Sequence, residues 1–355
     1  MNNDRIQEIL DLMEEARLDY FLISDPQSIA YCTGYYNDPH ERMFVFMISK
    51  HGNHTLFMND LFYLDHDLDV NIVWHKDGQD AIQTIVDEMH FPGRIGIDKN
   101  WASHFLLDLM KKLPDAKYIN ASPCVDLVRM KKDLQEQVLM IESSKINDAV
   151  MEEIIPFIQE GVTEKQLAKK LDELFFNHHS TCYGAIVAFG KNAADPHHEN
   201  DDTLLRKGDC VLIDMGCVYK GYCSDMTRTF FYEGILEEEI KAYEIVKKAN
   251  EAAEAMIKPG VKLSDIDKCA RKVISDEGYG KYFTHRLGLF IGRDVHEYGD
   301  VSSVNEMEVE EGMIFSIEPG IYLEGNFGVR VEDLVMVTKD GCQVLNSFTK
   351  DIYII

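Results

Sequence analysis

The chain has no apolar run approaching the roughly eighteen residues that a membrane-crossing helix needs. Its opening residues, Met1 to Glu8, are polar and acidic, unlike an export signal. Positive charge is scarce. Against 62 Asp and Glu stand only 36 Lys and Arg, a net charge of −26, which argues against nucleic acid or an anionic membrane surface as partner. Cysteine spacing is equally uninformative for a metal cage. The eight cysteines are scattered, and Cys210, Cys217 and Cys223 lack any CxxC pattern, so reduced thiols in a cytoplasm are expected rather than disulfides or a zinc site. What the chain does have is size: 355 residues, 45% of them apolar, enough for a packed core and, by length, for two domains.

The first third alternates helical and strand-like patterns. Ile6, Ile9, Leu10 and Met13 recur at helical spacing, and strands are expected over 19–24, 44–48, 55–58, 72–74 and 94–97, with helices over 79–89 and 102–113. Such alternation predicts a mixed sheet covered by helices, a small α/β domain with no residue that looks catalytic. Pro123 interrupts the pattern, so a boundary is expected there, dividing residues 1–123 from 124–355. A long amphipathic helix should follow over 132–158, with Val138, Ile141, Ile146, Val150 and Ile154 on one side. A faint repeat joins FIQEGVTEKQLAKKLDEL at 157–174 to MIKPGVKLSDIDKCARKVI at 256–274; Thr163 and Gln166 form a capping box at the first joint. Two pseudo-symmetric halves would frame one cleft, and chance likeness of two helix joints is the alternative.

Four acids stand out within strand-like sequence. Asp214 ends the run Val211-Leu212-Ile213, Asp225 precedes a second strand at 226–231, Glu318 lies in FSIEPGIY and Glu332 in GVRVED. Either the aspartates cap turns, with Gly216 and Gly221 punctuating the connection, or the acids share a purpose. Burying a carboxylate without a partner is expensive. Two of them about 4 Å apart repel by roughly 4 kcal/mol at an effective dielectric of 20, so four converging acids call for cations.

Six ordered blocks carry a resemblance to a known family: PHH at 196–198, GDCVLIDMG at 208–216, GYCSDMTRTF at 221–230, THRLGLFIGRDVHE at 284–297, EEGMIFSIEPGIY at 310–322 and GVRVEDLVMVT at 328–338. The chain resembles prolidase (Xaa-Pro dipeptidase), aminopeptidase P, methionine aminopeptidase and creatinase, which share the pita-bread fold. The resemblance implies an α+β pita-bread catalytic domain behind a smaller α/β N-terminal domain, and a homodimer. It also implies two divalent metal ions, held here by Asp214, Asp225, Glu318 and Glu332. Oxygen ligands favour Mn²⁺, with Co²⁺ or Zn²⁺ as alternatives. His296 and His197 match the family's catalytic histidines, and His285 and Arg330 match cleft positions that bind substrate; the arginine is expected to orient Glu332. His198 is expected to be a surface neighbour.

The fifth ligand of the resemblance, a histidine, falls where this chain has Leu289, which has no lone pair to offer. Tyr298-Gly299 also stands where a proline often follows the HE pair. Three readings stay open: a metallopeptidase cleaving short Xaa-Pro peptides with one ion weakly held, a creatinase-like hydrolase of a small amide or guanidine, and a binding homologue with impaired catalysis. Retention of four acids argues against the metal-free second reading.

Overall fold

The computed structural model describes residues 1–64 and 66–355. Contacts divide the chain into Met1–Arg129 and Met130–Ile355. Among the described residues no helix is long and apolar enough to cross a membrane.

In the first unit the strands are β1 (Tyr20–Ile23), β2 (Val45–Ser49), β3 (Thr55–Asn59), β4 (Asn71–His75), β5 (Arg94–Ile97) and β6 (Lys117–Asn120). They form one sheet in the order β4-β3-β2-β1-β5-β6. β1 pairs antiparallel with β2 and parallel with β5, so the sheet is mixed, as the alternating pattern predicts. Its two faces differ in what they bury. One packs Phe21, Phe46 and Ile48 with Ile6, Ile9 and Met13 of helix Asn3–Glu15, while the other packs Leu22, Val45 and Ile95 with Ile82 and Ile85 of helix Ala81–Glu88.

Pro123 does not break a pattern but stands in the first turn of a helix, Ser122–Met130, where a missing N–H costs nothing. The division between units falls at the end of that helix rather than at its start. The following helix is Leu134–Ile154, opened by a capping box between Asp133 and Glu136. Its inward face differs from the expected stripe. Val138 is exposed, and Met140, Ser143, Asn147, Val150 and Met151 turn inward. The polar pair is anchored to strand backbone: the Ser143 hydroxyl donates to the Tyr222 carbonyl at 3.2 Å and the Asn147 amide to the Met215 carbonyl at 2.9 Å. Hydrogen bonds to backbone make small polar residues as buriable as apolar ones, which periodicity in hydrophobicity cannot register.

The second unit is built on small antiparallel sheets. Ile186–Phe189, Cys210–Met215 and Met226–Phe231 form one, and Ile314–Ile317, Asp333–Val337 and Cys342–Val344 another. Gly320–Leu323 pairs with Phe327–Arg330, and Gly288–Leu289 with Asp300–Val301. Helix Glu164–Asn177 starts at the expected capping box of Thr163 and Gln166, and helix Leu263–Asp276 follows Glu237–Met256 at the second joint of the repeat. Both halves of the repeat are therefore helix, short turn, helix.

Candidate metal centre

Strand pairing sets the site. Cys210–Met215 runs antiparallel to Met226–Phe231 with Asp214 opposite Thr227, which leaves Asp225 just before the second strand. Glu332 sits between strands Phe327–Arg330 and Asp333–Val337. Asp214, Asp225 and Glu332 each offer a carboxylate oxygen, and these oxygens lie within 4.8 Å of one another. Glu318 follows strand Ile314–Ile317 and adds its charge to the same region.

Among these acids ionisation is opposed. Burial, reinforced by the charges of Asp214 and Glu318, raises the Asp225 carboxyl well above its ordinary range. Glu332 is raised likewise by burial and by Asp225, Glu318 and Asp214. Glu318 is pushed up to about 7, by burial first; Arg330 pulls it back and Asp214 adds to the rise. Such a cluster is costly as a purely structural device, and a divalent cation among the oxygens would remove both the repulsion and the desolvation cost. The three-acid cluster therefore fits a metal ion.

Arg330 does not orient Glu332 directly, contrary to expectation. Its Nη2 donates to Asp214 Oδ2 at 2.7 Å, its Nη1 to the Tyr322 hydroxyl at 2.9 Å and its Nε to Thr227 Oγ1 at 3.0 Å. Thr227 relays the contact, donating its hydroxyl to Glu332 Oε2 at 2.6 Å. The reason is geometric: Asp214 lies across the neighbouring strand within the guanidinium's fork, whereas Glu332 is reached through the threonine.

The histidines take distinct places. His285 Nδ1 lies 2.7 Å from the Arg286 carbonyl, which can only accept, so Nδ1 carries the proton. Its Nε2 then accepts from the Tyr322 hydroxyl at 2.8 Å. Burial, followed by the Arg330 charge, lowers His285 to about 4, consistent with that neutral tautomer. His296 is exposed at its outer edge, yet the surrounding protein, Arg286 and His197 hold it below the ordinary imidazole value. His197 is exposed and adds its charge to both rings.

His198 is not the expected surface neighbour. Its Nε2 bonds Glu164 Oε2 at 2.7 Å, and the Glu164 side chain is fully buried. Glu164 also accepts from the Phe189 and Asp201 backbone amides and from the Asn192 side chain, at 2.9–3.0 Å. Glu164, His198 and Asp201 are grouped closely enough to hold an ion, but with four donors on its carboxylate Glu164 is already satisfied and acts as a bracket for the segment carrying His197. On the far side, Glu297 beside His296 pairs with the buried Lys132 at 3.0 Å.

Leu289 lies in strand Gly288–Leu289 and packs among Met140, Tyr222, Cys223, Ile291, Ile314 and Leu334. Sequence reading missed Tyr183, Thr227 and Tyr322, because nothing in their local sequence marks them. Gly216 was informative for another reason than the turn assigned to it. A β-carbon there would stand 1.8 Å from the Tyr183 hydroxyl and 2.1 Å from the Ser224 carbonyl, the two groups joined by a 2.7 Å hydrogen bond beside Asp225.

Two family models cover most of the chain: metallopeptidase family M24 over residues 138–339 and the creatinase/prolidase N-terminal domain over residues 5–131. An uncharacterized peptidase of Staphylococcus aureus strain bovine RF122 / ET3-1 is 34% identical over 355 residues, spanning 98% of this chain and 99% of the relative. Among solved structures, a dipeptidase from Pyrococcus horikoshii OT3 superposes with a TM-score of 0.93 at 34% identity, covering 99% of this chain and 100% of the other. A prolidase from Thermococcus sibiricus gives 0.94 at 31% identity, over 100% and 99% of the two chains. An Xaa-Pro dipeptidase from Bacillus anthracis gives 0.92 at 28% identity, over 99% of each chain.

Proposed function

The chain belongs to metallopeptidase family M24, with a creatinase/prolidase N-terminal domain ahead of a pita-bread catalytic domain, and from that premise we propose that it hydrolyses the bond before proline in dipeptides or short peptides. The observation that carries the reading is the convergence of Asp214, Asp225 and Glu332, buried or half-buried acids whose oxygens lie within 4.8 Å of one another. The Xaa-Pro preference is supported by the prolidase and Xaa-Pro dipeptidase among the similar structures. Manganese is the ion that an oxygen-only donor set favours. Eight free thiols support a cytoplasmic setting, and homodimerisation is the family expectation.

A bound divalent ion would lower the pKa of water from 15.7 to about 7 and polarise the scissile carbonyl. The chain's own groups do the rest. Asp214, Asp225 and Glu332 would hold the ion, with Asp214 fixed by Arg330 and Glu332 by Thr227. His296 and His197, exposed at the cleft, donate to the developing oxyanion and carry a proton to the leaving amine, work an imidazole suits near neutral pH. His285 stays neutral and, through Tyr322, fixes the Arg330 guanidinium, so His285 and Arg330 shape the substrate's seat.

The test is hydrolysis of an Xaa-Pro dipeptide by protein stripped of metal and then supplied with Mn²⁺. Activity restored by Mn²⁺ supports the reading. Absence of hydrolysis despite bound Mn²⁺ would favour the binding homologue, the reading that Leu289 itself suggests.

A further inference from the structure

The family resemblance implies two ions, and the side chains serve the two positions unequally. We infer that the centre holds one divalent ion tightly, between Asp214, Asp225 and Glu332, and that a second ion on the Glu318 side is held weakly because Leu289 gives it no side-chain donor. The inference rests on the metallopeptidase reading and deepens it.

Geometry separates the four acids. Oxygens around one small divalent ion stand about 2.1 Å from it and hence up to about 4.2 Å apart. Those of Asp214, Asp225 and Glu332 lie within 4.8 Å, so shifts of tenths of an ångström would enclose an ion. Glu318 is outside that group. Its Oε1 accepts from the Ser316 hydroxyl at 3.0 Å, and the Ser316 oxygen in turn accepts from the Leu289 backbone amide at 3.0 Å. The direction of this chain is fixed. Because the Leu289 amide can only donate, the single hydroxyl proton of Ser316 is left for Glu318.

A second ion about 3.5–4 Å from the first would need ligands from the side of the cluster facing Glu318. There the chain offers Glu318, whose Oε1 accepts from Ser316, and Leu289, whose side chain belongs to an apolar cluster with Met140, Ile291 and Leu334. The Leu289 side chain supplies neither nitrogen nor oxygen.

The experiment is to load metal-stripped protein with excess Mn²⁺, remove unbound ion by gel filtration, count manganese per chain by mass spectrometry and record its electron paramagnetic resonance spectrum. One ion per chain with the six-line spectrum of isolated Mn²⁺ is expected. Two ions per chain with a spin-coupled spectrum overturn the inference and leave the peptidase reading standing, whereas no bound ion together with no Xaa-Pro hydrolysis overturns that reading. Leu289→His should raise the count to two, with at least a 10-fold gain in affinity for the second ion, on the scale set by ligand-supporting groups. A folded Leu289→His protein that still holds one ion overturns the role given to Leu289, and the parent's count decides the stoichiometry if the variant does not fold.

Discussion

His296 and His285 both feel the charge of His197 but stand under opposite constraints, and each yields a test. His296 has an exposed edge and no hydrogen-bond partner that the fold depends on, so His296→Ala should lower turnover by about 10² to 10⁴-fold, the usual worth of a positioned acid or base. Thermal stability should shift by little; comparable losses in melting temperature and turnover would make it a structural residue. His285 is different because its neutral form is built into the fold. Its value falls from 6.5 to about 4 on folding, so the folded state binds fewer protons than the unfolded chain between those values. The stability it contributes is complete above pH 6.5 and is lost as pH falls through 4. Urea unfolding followed across that range should show a steeper loss for the parent than for His285→Asn, and parallel curves would remove His285 from the account. The acids were legible at this scale, since a carboxylate inside an apolar run is conspicuous in any sequence. Tyr322 and Thr227 were not, because their significance lies in partners many residues away, such as Glu332 for Thr227.

At the level of elements, each helix that follows a repeated joint carries a buried acid that holds a loop of the site. In helix Glu164–Asn177, Glu164 brackets the His197 segment. In helix Leu263–Asp276, Asp267 pairs with Arg271, whose guanidinium donates to the backbone carbonyls of Phe283 at 3.1 Å and His285 at 2.9 Å. Glu164→Gln keeps the shape but offers one acceptor oxygen where four donors need a carboxylate, so it should cost about 1–3 kcal/mol of stability. It should also depress turnover with little change in KM, since His197 would lose its setting; steady-state kinetics beside urea unfolding would show whether turnover is spared. The helices themselves were readable from caps and spacing. The short helix Pro26–Thr33 was overlooked although Asp25 caps its start and Gly34, at φ +83°, ends it. Its eight residues give too few turns for apolar periodicity to register. Strand β6 went unread for a related reason, since Lys117 and Asn120 are exposed and leave it no alternating apolar face.

Across the second unit a buried ionic network ties distant segments together. Arg228, 1% exposed, uses all five of its N–H groups: on the carbonyls of Thr227, Glu332, Phe348 and Thr349 and on the Asp333 carboxylate. Lys350 joins Asp333 to Glu254, with 2.7 Å contacts to each. Removing one member of such a buried set leaves charge without a partner, so Arg228→Met should cost about 3–5 kcal/mol in urea unfolding. A loss below 1 kcal/mol would mean that Lys350 alone balances Asp333. Sequence placed Arg228 inside a recognisable block but gave it no role, because four of its five bonds are to main-chain carbonyls, which every residue possesses.

That hub has a consequence for how the protein is made. A growing chain that has been synthesised as far as Glu332 already contains all four acids of the site, yet the guanidinium that steadies the Glu332 carbonyl still lacks Phe348 and Thr349. Those residues follow all four acids in the chain. The nascent protein thus holds the full set of carboxylates before it holds the frame that aligns them, and its capacity to capture an ion matures only after residues 348 and 349 have emerged and folded back onto Arg228.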